Sequence, residues 1–181
     1  MGIQKTSTCY LELRRHSMRQ KPGSHLNQAG VSLARKTGET MGPFAKVITS
    51  NLPRAVETAV AMGFAVDEEK DLLAYYDEKV GEEVRWDAGF QEFAEAIRRG
   101  RKTEKFANNL KCLLMEMAEK QAANANILVV SHGGILEIAA VSCLPQADYS
   151  AWGGSFQFCE GIRLGFDGKQ FVSWEILRVP K

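Results

Sequence analysis

One local pattern occurs three times along the chain: a short apolar run, a polar or charged corner, then a stretch with helical spacing. Cys9 to Leu13 alternates apolar residues and breaks into Arg14-Arg15-His16-Ser17. Lys46 to Thr49 breaks into Ser50-Asn51-Leu52-Pro53-Arg54, and Ile127 to Val130 into Ser131-His132-Gly133-Gly134. Alternation and short β-branched runs are strand signals. Strands that feed helices form a largely parallel sheet, and right-handed crossovers bring every corner to one edge. In open α/β sheets that carboxyl edge is where ligands bind. The expected fold is therefore α/β: a three-layer sandwich with a mostly parallel sheet flanked by helices.

The remaining elements fit this frame. Leu26 to Met41 reads as a helix stopped by Gly42-Pro43. Pro53 suits a first helical turn, with Ser50 or Asn51 able to cap and Gly63 to terminate. Phe64 to Val66 reads as a third short strand. From residue 67 to 121 the composition shifts to charged turns and two amphipathic helices, Phe90 to Arg99 and Phe106 to Gln121, an expected helical insertion or lid. Ile135 to Cys143 reads as an apolar helix ended by Pro145. Phe156 to Phe166 and Lys169 to Leu177 read as strands of a C-terminal hairpin turning at Asp167-Gly168. Residues 1–181 form a single domain on this reading.

Composition narrows the function. With 181 residues, 45% hydrophobic and 25% charged, a substantial core is expected. A net charge of +1 argues against a nucleic-acid partner held by a broad basic field. No signal-peptide core or membrane-length apolar stretch is present, so no membrane partner is expected and a cytoplasmic location is the natural reading. Met1 to Thr6 fits the loose myristoylation pattern, which a sequence meets easily by chance. Cys9, Cys112, Cys143 and Cys159 are scattered without zinc spacing, and Cys9 and Cys112 sit in apolar patterns as small buried hydrophobes would.

The corners carry chemistry. Arg15, His16, Ser50, Arg54 and His132 converge on one sheet edge with helix N-termini whose free N–H groups favour anions. Guanidinium groups are permanently charged planar donors matched to phosphate or carboxylate. Imidazole can act as a nucleophile near neutral pH. Gly133 and Gly134 allow a close backbone approach to a ligand. The corners hold no carboxylate cluster, which disfavours a metal, and no Gly-rich Lys-Ser/Thr loop, which excludes a nucleotide P-loop.

These residues resemble the histidine phosphatase superfamily, which includes the cofactor-dependent phosphoglycerate mutases. Arg15-His16 matches its Arg-His pair, with Ser17 where Gly is common. Leu26-Asn27-Gln28-Ala29-Gly30 matches its Leu-x-x-x-Gly helix start. Ser50, Arg54 and Thr58-Ala59 match its second motif, and Ser131 to Gly134 its Ser/Thr-His-Gly-Gly, all in family order. The resemblance implies a small phosphorylated substrate, no cofactor and no metal. His16 would attack phosphorus, its other nitrogen donating to a backbone carbonyl, and water would hydrolyse the phosphohistidine. Arg15, Arg54 and protonated His132 would stabilise the transferring group, with Ser17, Ser50 and Gly133 beside it. The family's general acid precedes a Gly by about four residues, which from Gly81 gives Asp77, with Glu78 adjacent; Glu82 and Glu83 are expected to be solvated. Arg19 would meet a second anionic group, and His25 would be a surface or capping residue.

The chain also departs from the family pattern. Met18 and Arg19 replace the residues common after the first motif, and no Asn follows at the usual short distance. Asp77-Glu78-Lys79-Val80-Gly81 stands in place of the mutase-like Glu-Arg-His-Tyr segment, which favours a phosphomonoester phosphatase over a mutase. The alternatives are a protein phosphohistidine phosphatase, a mutase-like phosphotransferase and, in another class, a non-catalytic phosphate-binding module.

Overall fold

Asn126–Ser131 (β4) is the strand around which the sheet is built. Its residues Ile127, Leu128, Val129 and Val130 are completely buried, so both faces must be covered. The structure, a computed structural model, describes residues 9–85 and 87–179; the Met1 to Thr6 pattern lies outside them. The other strands are β1 (Cys9–Arg15), β2 (Lys46–Thr49), β3 (Glu68–Glu69), β5 (Gly161–Phe166) and β6 (Phe171–Leu177). The helices are α1 (Gln28–Gly38), α2 (Pro53–Ala61), α3 (Glu78–Glu83), α4 (Phe90–Arg98), α5 (Lys102–Glu119) and α6 (Ile135–Cys143). The sheet order is β3-β2-β4-β1-β5-β6; the first four strands are parallel, and β5 and β6 add an antiparallel hairpin.

Pleat alternation assigns the two faces. Ile127 and Val129, with Leu11 and Leu13 of β1, pack on Phe93, Leu110 and Leu114 of α4 and α5 and on α6. Leu128 and Val130, with Val47, pack on Ala55 and Ala59 of α2. The 67–121 stretch therefore supplies one helical layer of the sandwich, and its start also reaches the sheet's carboxyl edge, where Leu73 O accepts from Ser131 Oγ at 2.7 Å and Tyr76 stands against Gly134. Glu12 and Arg14 fall on the β1 face opposite Leu11 and Leu13. Glu12 is buried and accepts from Arg14 Nε and Arg163 Nη2, each at 2.8 Å, while Arg14 Nη1 donates to the Cys159 carbonyl at 3.0 Å. Arg14 is thus turned away from the corner that Arg15 occupies.

Several expected boundaries move, each for a visible reason. Phe64 and Val66 are not a strand but pack under the sheet with Phe44, and the short third strand is Glu68–Glu69. α1 begins at Gln28 because Asn27 caps it, its side chain accepting from Gly30 N at 2.7 Å. α2 starts at Pro53 with Leu52 as cap, and neither Ser50 nor Asn51 takes that place. α5 starts at Lys102 because Glu83 accepts from Thr103 N (2.9 Å) and Oγ1 (2.6 Å); Glu83 is a cap, not merely a solvated charge. Cys112 is exposed, unlike the other three cysteines. The hairpin turns at Gly168-Lys169, with Asp167 Oδ1 accepting from Lys169 N and Gln170 N at 2.9 Å each. Residues 156–160 alternate like a strand but form a loop across the end of β1, tied by Arg15 N to Glu160 O (2.8 Å) and Cys159 N to Arg15 O (3.1 Å).

Candidate active site

Strand register brings the three corners level. Arg15 pairs with Ser131 and Thr49 with Val130. His16 N then donates to Ser131 O at 2.8 Å, and Ser50 N to Val130 O at 3.0 Å. His16, Ser50 and His132 consequently leave the sheet side by side, while Pro53 starts α2 so that Arg54 stands on its first turn over both rings. The imidazole centroids are 5.0 Å apart.

Hydrogen bonds fix both tautomers. His16 Nδ1 lies 2.6 Å from the Ser17 carbonyl oxygen, which can only accept, so Nδ1 carries the proton and Nε2 presents a lone pair. Arg54 Nε is 3.2 Å from His16 Nε2 and 3.2 Å from His132 Nδ1, sharing one N–H between two ring nitrogens. With Nδ1 an acceptor, His132 carries its proton on Nε2 and donates it to Ser50 Oγ at 2.7 Å. Burial, together with the charges of Arg54, Arg15 and Arg19 and against the pull of the Ser17 carbonyl, holds the His16 pKa down to about 4. Burial, then His16, Arg54 and Arg15, hold His132 down to about 2. Both imidazoles are thus held neutral by their surroundings; the protonated His132 that the resemblance implies belongs to a site holding a phosphoryl group, whose negative charge raises an imidazole's pKa.

The surrounding shell is specific. Arg15 Nη1 donates to Phe156 O at 2.7 Å, and its guanidinium lies 4.9 Å from the centre of the Phe158 ring. A side chain at Gly133 would bring a Cβ within 3.1 Å of Arg15 Cζ, so this glycine clears space for the guanidinium. Gly134 has φ +84° and starts α6. Glu137 is buried; it accepts from Gly134 N at 2.7 Å and Phe156 N at 2.9 Å, tying the His132 corner to the loop that holds Arg15. Burial pushes its carboxyl upward, and the backbone N–H donors and Arg15 oppose that push. An apolar helical stretch hides such a residue in the sequence; the one signal was Glu at the third helical position after Gly134, the place of a capping-box acceptor.

Met18, Arg19, Lys21, Asn27, Gln157 and Phe158 join Arg15, His16, Arg54, His132 and Gly133 around a cleft of about 620 Å³. Ser17 does not line it: it is fully buried, its hydroxyl donates to Gly30 O at 2.7 Å, and its N–H donates to Thr58 Oγ1 at 2.9 Å. Serine at the usual glycine position thus fastens the first corner to α1 and α2. Asp77 and Glu78 are exposed and are not among the residues lining the cleft, although the preceding Tyr76 stands against Gly134; Asp77 caps α3, accepting from Val80 N at 3.0 Å. No Asp or Glu lines the cleft among the described residues. Among the described residues no three His, Cys, Asp or Glu side chains gather as a metal-binding set. His25 is exposed and pairs with Glu57 at 2.5 Å. No described helix is long and apolar enough to cross a membrane.

A sheet edge bearing two tautomer-locked imidazoles and two guanidinium groups defines a class of phosphoryl-handling α/β domains. The chain belongs to the histidine phosphatase superfamily (branch 1), whose sequence profile matches residues 10–176. Solved structures share the fold along nearly the whole chain. A phosphoserine phosphatase from Entamoeba histolytica, in complex with 3-phosphoglyceric acid, aligns at TM-score 0.66 and 16% identity, covering 94% of this chain and 98% of that one. A phosphoglycerate mutase from Bacillus anthracis aligns at 0.61 and 19%, covering 97% and 95%. A mycobacterial glucosyl-3-phosphoglycerate phosphatase aligns at 0.59 and 17%, covering 93% and 97%. No curated protein matches the chain.

Proposed function

We propose that the protein is a phosphatase that hydrolyses phosphomonoesters through a phosphohistidine on His16. The observation that carries this reading is the Nδ1–H bond to the Ser17 carbonyl, which leaves the Nε2 lone pair beside Arg54 and His132. Nε2 attacks phosphorus, the bond from phosphorus to the ester oxygen breaks, and that oxygen leaves with the electron pair and takes a proton from solvent water. Water then attacks the phosphohistidine, releasing orthophosphate and restoring the imidazole. Arg15 and Arg54 meet the charge spread over the equatorial oxygens. His132 Nε2–H and Ser50 hold the second ring in place, and the dianion favours protonation of that ring as it binds. No cofactor or metal takes part, so activity is expected to persist in chelator.

Neither Asp77 nor Glu78 lines the cleft, and this reading assigns no carboxyl group as the acid for the leaving oxygen. This observation favours a second reading, hydrolysis of phosphohistidine, because an imidazole protonated on its other ring nitrogen leaves as a neutral molecule and needs no acid at the breaking bond. The test is a panel of alkyl and aryl phosphates and a phosphohistidine peptide, assayed with chelator. The reading expects phosphate release by the wild type and none by His16→Ala. Turnover in His16→Ala, or turnover that a divalent ion must restore, would overturn it.

A further inference from the structure

The loop between α6 and β5 does more than wall the cleft with Gln157 and Phe158. Its Phe156 carbonyl accepts from Arg15 Nη1 at 2.7 Å, and Glu160 O accepts from Arg15 N at 2.8 Å. The Phe158 ring centre lies 4.9 Å from the Arg15 guanidinium and 5.8 Å from the centre of the His16 ring. Where this loop sits therefore decides where Arg15 points. Glu137 of α6 holds it through Phe156 N at 2.9 Å. Arg178, which directly follows β6, holds it a second time.

The Arg178 guanidinium meets the loop at three acceptors. Nη1 donates to Glu160 Oε2 at 2.6 Å, and Nη2 donates to the carbonyls of Trp152 and Gly154, each at 2.6 Å. Its Cζ also lies 5.6 Å from the centre of the Phe156 ring. Gly153 has φ +75°, and a Cβ there would lie 3.2 Å from Arg178 Nη2. This glycine clears space for one guanidinium as Gly133 does for that of Arg15. The rigid fork sets the direction of all three bonds, which a lysine ammonium on its flexible stem would not. Glu160 is buried, and its Oε2 accepts from Gln157 N at 2.9 Å as well. A buried carboxylate of this kind needs a fixed cation. Glu137 and Glu160 are the carboxylates whose charge opposes the effect of burial on Arg15. A Glu160 freed from Arg178 would compete with a phosphoryl group for the Arg15 guanidinium.

We infer that Arg178 is a positioning residue for phosphoryl transfer: from outside the cleft it fixes residues 152–160, and through them it holds the Arg15 guanidinium and the Phe158 ring in place beside His16. Arg178 does not itself line the cleft. The inference rests on the phosphatase reading and adds to it a residue remote in sequence from the nucleophile.

The test is a double-mutant cycle between Arg15 and Arg178, read as kcat/KM on an aryl phosphate and as the Kd of vanadate by calorimetry. Arg178→Ala should lower kcat/KM by about tenfold or more, mainly through kcat, and weaken vanadate binding alongside. In the Arg15→Ala background the same change should cost less than about twofold, because the group it positions is gone. Added methylguanidinium should raise the kcat of Arg178→Ala and leave the wild type unchanged. Arg178→Lys keeps the charge without the fork and should lose about threefold or more in kcat and vanadate affinity. That variant decides the matter if Arg178→Ala does not fold. Folded Arg178 variants with wild-type kcat and vanadate Kd, or equal losses in both Arg15 backgrounds, overturn the inference and leave the phosphatase reading intact. A purely structural clamp would give that result, with only a lower denaturation midpoint. Absence of hydrolysis and of phosphoenzyme in the wild type overturns the phosphatase reading itself, and the vanadate Kd then still decides the role of Arg178.

Discussion

His16 and His132 share one N–H of Arg54, and burial together with this cation sets the pH behaviour expected of the site. His16 stays neutral down to about pH 4, so kcat/KM should show no limb near the ordinary imidazole value of about 6.5 and should fall only as Nε2 is protonated at lower pH. A pH–rate profile measured on an aryl phosphate, whose own ionisation is corrected for, checks this; an acidic limb near 6.5 would contradict it. Stability has a linked sign. Both imidazoles have folded values below their unfolded ones, so from pH 6.5 downward the unfolded chain binds protons that the folded chain refuses. Stability should fall with pH in that window, by up to about 1.4 kcal/mol per imidazole per pH unit. Urea midpoints at pH 7, 6 and 5.5 would show it, and His132→Gln should flatten the slope. Arg54→Ala should lower kcat by about a hundredfold or more, as expected for a preorganised charged donor. Arg54→Lys should not restore it, since an ammonium lacks the fixed Nε–H between the two rings.

At the scale of elements, the parallel strands and their corners were legible because each follows a local rule: a β-branched run, a capping or charged corner, then helical spacing. β2 and α6 fall on their expected residues, and β4 within one residue at either end. What escaped is long-range. Residues 156–160 alternate as a strand does, yet backbone pairing with Arg15 folds them into the loop that brings Phe158 against Arg15 and within 5.8 Å of the His16 ring. Ser17 reads as a site residue in sequence because it follows His16, and the close approach of Gly30 to Met18 decides otherwise. A Cβ at Gly30 would lie 2.0 Å from Met18 O, so α1 presses against the corner and takes the Ser17 hydroxyl. Glu137 belongs to the same class, tying two segments nineteen residues apart in sequence. Glu137→Ala should destabilise the fold by about 2–5 kcal/mol, since it leaves two buried N–H groups without their acceptor. Denaturant titration would measure this, and a loss below 0.5 kcal/mol, roughly that of a surface change, would refute it.

At the scale of the whole molecule, the helices of residues 67–121 build the core, and the cleft is walled by loops that follow β1 and precede β5. Its walls contain no carboxyl group among the described residues, and the rate should therefore depend steeply on leaving-group basicity, aryl phosphates far outpacing alkyl ones. Asp77→Ala should cost about 1 kcal/mol by uncapping α3 and leave that dependence as steep as before. A shallow dependence that steepens in Asp77→Ala would instead place the acid there. The central claim, covalent transfer to His16, is tested most directly by rapid-quench labelling. Enzyme mixed with a phosphorus-labelled aryl phosphate and quenched in alkali should carry acid-labile, base-stable label on the peptide containing His16, forming and decaying at rates consistent with turnover. Absence of that label in an active wild-type enzyme, or label that persists in His16→Ala, would contradict the account.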